Sequence, residues 1–348
     1  MCSYFCEGGF CENRQWKSKA NLGGNGVIMK LKKKIPILIL LILSVLIFSS
    51  INVFSWNSHF FYTELAIKNN NWINNFSEIE ITPYTYEDID QDEYNPEFVT
   101  KYVEGEIGEK TKASDILINY SDEPDWDLDT NLELNKLQAL TGGSQGYRHM
   151  YFSVFAGLLK AGEAPKRANH FFEMSKIAFG KGDNYWGFRF AARAIHYLED
   201  VSQPYHTYPA PLGVLFKKYF NVKKLTVLVT NAHYGYEDFN GYLFEHKKEE
   251  FYNLLPEVET VKMDDVADST IKLSKEARKD FTLSYRETMK LFPLLDNDQE
   301  FIILKGQEII RTANSPGSQE LINLMKKDIL LGLGYLNGFF DLLKESAE

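Results

Sequence analysis

The sequence predicts an all-α protein, built as a single multi-helix domain. Apolar residues recur with a helical period, most clearly over residues 186–201. Alternating strand patterns are scarce, and residues 225–230 form the best short candidate. The chain also shows no internal repeat, low-complexity linker or break in composition, and its connections are mostly short, as in helical bundles.

A first helix is expected over residues 59–67, and the asparagine run at 69–71 ends it. Residues 74–130 are acidic and rich in Tyr, Asp and Pro, which predicts loops with one or two short helices. The remaining helical patterns cover residues 146–160, 167–180, 186–201, 233–249, 269–291, 298–312 and 319–344. Pro204 stops the helix that reaches residue 201.

The three cysteines, Cys2, Cys6 and Cys11, all lie within the first eleven residues. The body of the chain therefore has neither a disulfide framework nor a thiolate metal site. Any metal ion bound there would be held by nitrogen and oxygen atoms.

The segment 29–55 has the pattern of a secretory signal peptide, with four lysines after Met29 and an apolar stretch at 35–48. Residues 1–28 lack apolar periodicity and are interpreted as an upstream mis-start or a tail. Val53 and Ser55 suit the −3 and −1 positions of a cleavage site, which would make Trp56 the mature N-terminus. We therefore expect a secreted or extracytoplasmic protein, with a retained N-terminal membrane anchor as the alternative.

The charge of the chain argues against a broad surface that binds nucleic acid. The whole chain has a net charge of −10, and without residues 1–55 the charge is −15. A protein this acidic binds phosphate polymers poorly, so phosphate chemistry would require a local source of positive charge.

Two sequence blocks carry a metal-binding pattern. The first is His196-x3-Asp200-x5-His206, and the second is His233-x3-Glu237. On a helix, residues four apart project from the same face. A turn at Pro204 then brings the third histidine, His206, back towards that face. One such pair alone is more often a solvated or capping pair, but their coincidence predicts a zinc site with nitrogen and oxygen ligands.

These blocks, HYLEDVSQPYH and HYGYE, resemble the bacterial zinc-dependent phospholipases C, whose all-helical fold is shared with fungal and plant single-strand nucleases. The resemblance spans most of residues 56–348, which are interpreted as the catalytic domain, including the closing LGYLNGFFDLL. The interval between His206 and His233 is long for a phospholipase and closer to that of the nucleases. The spacing between Trp56 and His59 is shorter than is common in the family.

The resemblance implies three zinc ions per chain, with ligands carried over by position. The first would be bound by Asp125, His149, His196 and Asp200. The second would be bound by His206, His233 and Glu237. The third would be bound by His59, Asp200 and Trp56, whose α-amino group is available only after cleavage. Asp122 and Glu123 are alternatives to Asp125, and His170 and His246 lie outside the pattern, as structural residues.

The implied activity is that of a hydrolase that cleaves phosphodiesters with metal-activated water, which Asp125 would orient. Glu237 in the last ligand position favours a phospholipase C acting on phospholipid at a membrane surface, and does not favour nucleic acid as the partner. A single-strand nuclease on the same scaffold is the alternative enzyme. A membrane-anchored, non-enzymatic protein is the third possibility. The apolar and basic segment 212–224 suits either a lipid interface or an ordinary amphipathic surface.

Overall fold

The computed structural model describes residues 58–91, 98–130, 144–154, 159–208, 210–211, 213–214 and 222–348. The predicted signal peptide, the residues before it, Trp56 and most of segment 212–224 lie outside these ranges. No helix within the described ranges is long and apolar enough to cross a membrane.

The described residues are predominantly helical, which confirms the all-α prediction at the level of fold class. The helices are α1 (His59–Lys68), α2 (Ala113–Tyr120), α3 (Ser144–His149), α4 (Ala164–Gly180), α5 (Asn184–Ser202), α6 (Val222–His246), α7 (Lys248–Tyr252), α8 (Val266–Ala277), α9 (Phe281–Leu291), α10 (Gly306–Ala313) and α11 (Gln319–Ala347). Short 3₁₀ segments lie at Asn71–Asn75, Glu123–Asp125, Pro204–His206, Leu255–Glu257, Arg278–Asp280, Pro293–Leu295 and Pro316–Ser318.

Two small antiparallel sheets of two strands each accompany the helices in the described residues. β1 (Ile79–Glu80) pairs with β2 (Lys110–Thr111), with Ile79 opposite Thr111. β3 (Phe152–Val154) pairs with β4 (Leu159–Ala161), with Ser153 opposite Lys160.

Helix α5 lies at the centre of the fold, and every residue from Tyr185 to Ser202 is buried. It packs against α4 along its length, and α2, α8 and α11 also contact it. Asp183 caps its first turn by accepting a hydrogen bond from the backbone N–H of Trp186 at 3.3 Å. A helix buried on all sides is normally apolar on all sides, yet α5 also buries charged residues. Those charges therefore need partners inside the protein.

The helices predicted over 59–67, 167–180, 186–201 and 319–344 are confirmed, with ends that differ by a few residues. The long helix predicted over 146–160 is wrong, because α3 ends at His149 and a hairpin follows. The backbone N–H of Tyr151 bonds instead to the carbonyl of His206 at 3.0 Å, a long-range pairing that local periodicity does not show.

The strand predicted over 225–230 is also wrong, because these residues lie inside α6. Their β-branched side chains favour a strand, but five of the six residues are buried within the helix, all except Val229. Tertiary packing of α6 therefore overrides the intrinsic preference. The pattern at 233–249 is the second half of α6, followed by α7.

Two further predicted helices are shorter than expected. The pattern over 269–291 forms α8 and α9, with a 3₁₀ turn between them. The pattern over 298–312 becomes helical only at Gly306. The side chain of Asn231 binds the carbonyls of Asn297 and Glu300 and the N–H of Ile302, which stabilises a non-helical path there.

Candidate metal centre

Helix α5 and the 3₁₀ turn after it bring together the first block of predicted ligands. His196 and Asp200 lie one turn apart on α5, and the turn Pro204–His206 carries His206. All three side chains are buried. The sequence block thus forms one face of a buried site.

In the first group, candidate ligand atoms of His149, His196 and Asp200 lie close together. His149 Nδ1 lies 2.8 Å from Asp200 Oδ2 and 2.8 Å from His196 Nε2. His196 Nε2 lies 3.2 Å from the same carboxylate oxygen. Ligand atoms that share a tetrahedral zinc ion are roughly 3.3 Å apart. These three atoms are therefore close enough to bind one cation.

The second group consists of His206, His233 and Glu237, and it is nearly equilateral. His206 Nε2 lies 3.2 Å from His233 Nε2 and 3.1 Å from Glu237 Oε1. His233 Nε2 and Glu237 Oε1, one turn apart on α6, are 3.0 Å apart. Three converging protein ligands leave a fourth tetrahedral position for water, as in catalytic zinc sites.

His59 and Asp125 complete a third group together with His196. Asp125 Oδ2 lies 3.7 Å from His59 Nε2, and Asp125 Oδ1 lies 3.5 Å from Nε2 of both His149 and His196. His59 Nε2 also lies 3.6 Å from Asp200 Oδ1. The two aspartates thus face several histidines at once, as carboxylates that bridge metal ions do.

The structure therefore brings together eight of the nine predicted ligands, which we call the candidate metal centre: His59, Asp125, His149, His196, Asp200, His206, His233 and Glu237. Trp56 lies outside the described residues, so its role stays a prediction. His170 and His246 lie elsewhere. His170 Nε2 pairs with Asp90 Oδ1 at 2.6 Å, and the side chain of His246 is 48% exposed.

Buried oxygen atoms without donors show that these residues fit a cation. In the described part of the chain, neither carboxylate oxygen of Asp125 has a hydrogen-bond partner, and Asp200 Oδ1 has none. The two side chains are only 5% and 0% exposed. Burying such atoms unpaired costs free energy, which a bound metal ion would offset.

Hydrogen bonds on the far side of two rings orient these histidines. His196 Nδ1 donates to the carbonyl of Ser121 at 2.7 Å, and His206 Nδ1 donates to the carbonyl of His149 at 3.1 Å. In each ring, donation from Nδ1 leaves the lone pair of Nε2 directed into the centre. These contacts fix the tautomer that metal binding requires.

Glu199 orients the ring of His59 in the same way. Glu199 was not among the residues predicted from the sequence. Its Oε2 lies 2.8 Å from His59 Nδ1, and its Oε1 accepts a hydrogen bond from Thr63 Oγ1 at 2.8 Å. Glu199 is fully buried. Its position directly before Asp200 is the only sequence signal, because the two residues point in different directions around α5.

The three acidic residues of the segment 121–126, SDEPDW, each have different partners. Asp125 faces the histidines, whereas Glu123 pairs with Arg189 and Arg193. Asp122 accepts hydrogen bonds from the backbone N–H groups of His59 and Phe60. Asp122 thus caps α1 from outside the helix, and of the three acids Asp125 is the one grouped with His59 and His196.

The electrostatics of the site differ from one histidine to the next. Burial lowers the pKa of His59 to about 3 and also lowers the pKa of His149, whereas nearby carboxylates outweigh burial at two other rings. Burial alone would lower the pKa of His206, but the carboxylates of Asp200 and Glu237 raise it to about 9. The carboxylates of Asp125 and Asp200 likewise outweigh burial and raise the pKa of His196 well above its usual value. Without metal, protons on these two rings supply the positive charge that a cation would otherwise provide.

A cleft of about 520 Å³ includes Glu237 in its lining. Phe60, 43% exposed, and Ile303, 83% exposed, contribute apolar surface to it. Asp238 and Glu245 contribute acidic groups. Of the candidate metal centre, the cleft lining includes Glu237 alone, so an apolar and acidic surface adjoins one edge of the centre.

Comparison of the sequence with models of protein families finds no family that matches, and comparison with curated proteins finds no match either.

Proposed function

We propose that the protein is a zinc-dependent phosphodiester hydrolase with three zinc ions per chain. The observation that supports this most directly is the near-equilateral group of His206, His233 and Glu237 beside a second group. His206 Nδ1 and Asp200 Oδ1 are 3.4 Å apart, so the two groups adjoin. Adjacent metal sites are typical of enzymes that hydrolyse phosphodiesters.

The types of ligand support zinc as the metal. Imidazole and carboxylate groups suit zinc, and the body of the chain has no cysteine that would favour a softer ion. Bound zinc would supply positive charge to the phosphate oxygens and lower the pKa of a water molecule. That local charge is what an acidic protein needs in order to act on an anionic substrate.

The residues of this chain have distinct roles in the proposal. Asp125 is proposed to orient the attacking water, because both of its oxygens are without hydrogen-bond partners among the described residues. Glu199 and the carbonyl of Ser121 hold His59 and His196 in place. No nucleophilic side chain and no covalent intermediate are needed.

For the substrate, we propose phospholipid, cleaved as by a phospholipase C to release the phosphorylated head group. The exposed apolar side chains of Phe60 and Ile303 beside Glu237 support this choice, because they suit the apolar part of a lipid. The acidic Asp238 and Glu245 weigh against a nucleic acid, whose successive phosphates they would repel.

The experiment is to measure zinc content and turnover of phosphatidylcholine and of single-stranded DNA by the same preparation. We expect bound zinc and release of phosphocholine, and loss of both after chelation. Cleavage of DNA alone would contradict the phospholipase proposal while leaving the hydrolase proposal intact. A preparation that is folded but binds no zinc would contradict both.

A single-strand nuclease on the same centre is the second candidate, and one residue favours it. Trp126 follows Asp125 directly and is 41% exposed, so it offers a face on which a base could stack. If the protein is a nuclease, Trp126→Ala will lower DNA cleavage and leave zinc content unchanged.

We also propose that the protein is secreted and that its mature chain begins at Trp56. N-terminal sequencing of the exported protein tests this directly. A chain that begins at Trp56 would supply the α-amino ligand of the third zinc ion. A chain that retains residues 35–54 would instead support a membrane anchor and remove that ligand.

A further inference from the structure

Five buried charged side chains lie on the segment that carries Asp125 or pair with it, without belonging to the candidate metal centre. We call them the carboxylate–arginine network: Glu123, Asp129, Arg148, Arg189 and Arg193. Each of these side chains is at most 2% exposed. The hydrolase proposal assigns no role to them.

Glu123 is the residue of the network that binds α5. Its Oε2 accepts hydrogen bonds from Nε of Arg189 at 3.3 Å and from Nε of Arg193 at 3.1 Å. Its Oε1 pairs closely with Nη2 of Arg189. Since the two arginines are one turn apart on α5, the carboxylate is fixed against two successive turns of that helix.

Asp129 attaches the other end of the same segment. Its Oδ2 lies 2.5 Å from Nη1 of Arg148, and its Oδ1 lies 3.6 Å from Nη1 of Arg193. Between the two attachments the chain turns back at Asp127, which has a φ of +54°. The segment that carries Asp125 is therefore fixed at both ends.

The helix that holds this segment also carries ligands. Arg193 lies three residues before His196 and seven before Asp200 on α5. The rigid helix therefore sets the distance from Glu123 to both ligands, and with it the 3.5 Å separation of Asp125 Oδ1 from His196 Nε2. Arg148, which pairs with Asp129, directly precedes His149 in the chain, so Asp129 is tied to a second proposed ligand.

We propose that Glu123 is a positioning residue: through Arg189 and Arg193 it holds Asp125 at the distance from the histidines that metal binding requires. This inference rests on the proposed metal centre and extends it to residues that do not touch metal. Buried ion pairs are a weak source of net stability, because desolvation offsets their attraction. The network is better explained by the geometry that it imposes.

The test compares metal binding by wild-type protein with that of Glu123→Gln and Arg189→Lys. Glu123→Gln removes the negative charge that both arginines bind. Arg189→Lys keeps a positive charge but loses the planar guanidinium group, which can donate two hydrogen bonds to one carboxylate. Asp183→Ala is the matched control, because it weakens the N-cap of the same helix far from the ligands. Zinc affinity is measured by competition with a chromophoric chelator, and cobalt spectra identify the site that is lost.

We expect Glu123→Gln to weaken the sites that include Asp125 by about 10-fold to 100-fold, the usual effect of losing a contact behind a metal ligand. Arg189→Lys should weaken them less, and the His206, His233 and Glu237 site should change less than about twofold in both variants. Asp183→Ala should lower the melting temperature and leave all affinities unchanged.

Unchanged affinities in both variants would overturn the inference, and so would an equal loss in Asp183→Ala. If Glu123→Gln does not fold, Arg189→Lys decides. A wild-type protein that binds no metal would contradict the proposed function and this inference together. Normal zinc binding by the wild-type protein, with no effect in either variant, would contradict the inference alone.

Discussion

A histidine that binds a metal through one ring nitrogen needs a hydrogen-bond partner at the other. That partner fixes which of the two nitrogens faces the metal. Glu199 occupies this position for His59, and the carbonyl of Ser121 occupies it for His196. The partners are the fully buried side chain of Glu199 and a backbone carbonyl. Individual residues are therefore pre-oriented for binding.

At this scale we predict that His206→Ala removes metal from the His206, His233 and Glu237 site, because it takes away one of only three protein ligands. Phosphodiester turnover should fall by about a thousandfold or more, since the site loses its charge as well as its water. Zinc per chain and phosphocholine release measure the two effects. His246→Ala is the matched control, because its ring is 48% exposed and should matter to neither. Near-normal turnover by His206→Ala would contradict the assignment.

The raised pKa of His206 predicts how pH affects the metal-free protein. The pKa of about 9 in the folded protein exceeds the ordinary value of 6.5. The stability that this proton contributes is therefore fully present below pH 6.5 and is lost as pH rises through about 9. The melting temperature of chelated protein should fall over that window, whereas protein loaded with zinc should not show the fall. A melting temperature of chelated protein that is flat from about pH 6 to 10 would contradict this.

At the scale of elements, α5 combines three tasks that are usually separate. It fills the centre of the core, supplies His196 and Asp200, and carries the arginines that fix the segment of Asp125. The neighbouring α11 packs against the core through glycines. A Cβ atom at Gly332 would lie 1.9 Å from the hydroxyl of Tyr62, so this close approach requires glycine.

Replacing Gly338 of α11 with alanine should lower the stability of the protein, although helix propensity alone predicts an increase. Alanine normally stabilises a helix interior by about 1 kcal/mol relative to glycine. Here a Cβ atom would lie 1.9 Å from the backbone carbonyl oxygen of Val261, which cannot move as a side chain can. Gly338→Ala should therefore destabilise the protein by about 1–3 kcal/mol in urea unfolding. Gly180→Ala, at the end of α4 with no atom within 4 Å, should be neutral or stabilising. Equal effects in the two variants would show that packing is not the cause.

The elements that could be predicted are those whose signal is local. The apolar repeat that forms α5 lies within one stretch of chain, and so does the His-x3-carboxylate spacing of its ligands. The hairpin after α3 could not be predicted, because the backbone of Tyr151 pairs with His206, 55 residues away. Glu199 was not found for a related reason: its role depends on a histidine 140 residues away.

For the whole molecule, the important quantity is charge. The chain has a net charge of −10, and the candidate metal centre itself gathers three carboxylates, those of Asp125, Asp200 and Glu237. Cations bound there would reduce both the local and the overall repulsion. Metal binding should therefore stabilise the whole fold, and not the site alone.

We predict that removal of metal with a chelator lowers the melting temperature, and that added zinc restores it. A metal at 1,000 times its dissociation constant stabilises the folded state by about 4 kcal/mol. Differential scanning calorimetry with and without chelator measures the shift. Magnesium is the control, because it prefers oxygen ligands and should not replace zinc at imidazole nitrogens. Full recovery with magnesium would contradict a zinc centre.

The ligands of the centre come from six separate elements, from α1 through to α6, and the contact between His59 and Glu199 closes a loop of 140 residues. Closing long loops costs chain entropy before any contact stabilises them, and contacts between distant residues slow folding. The centre therefore assembles only when the two ends of this region have already met. Under the proposed function, acquisition of metal would then report that folding is complete. A chain interrupted before residue 237 would lack one of the three residues of the second group however well its first helices had formed.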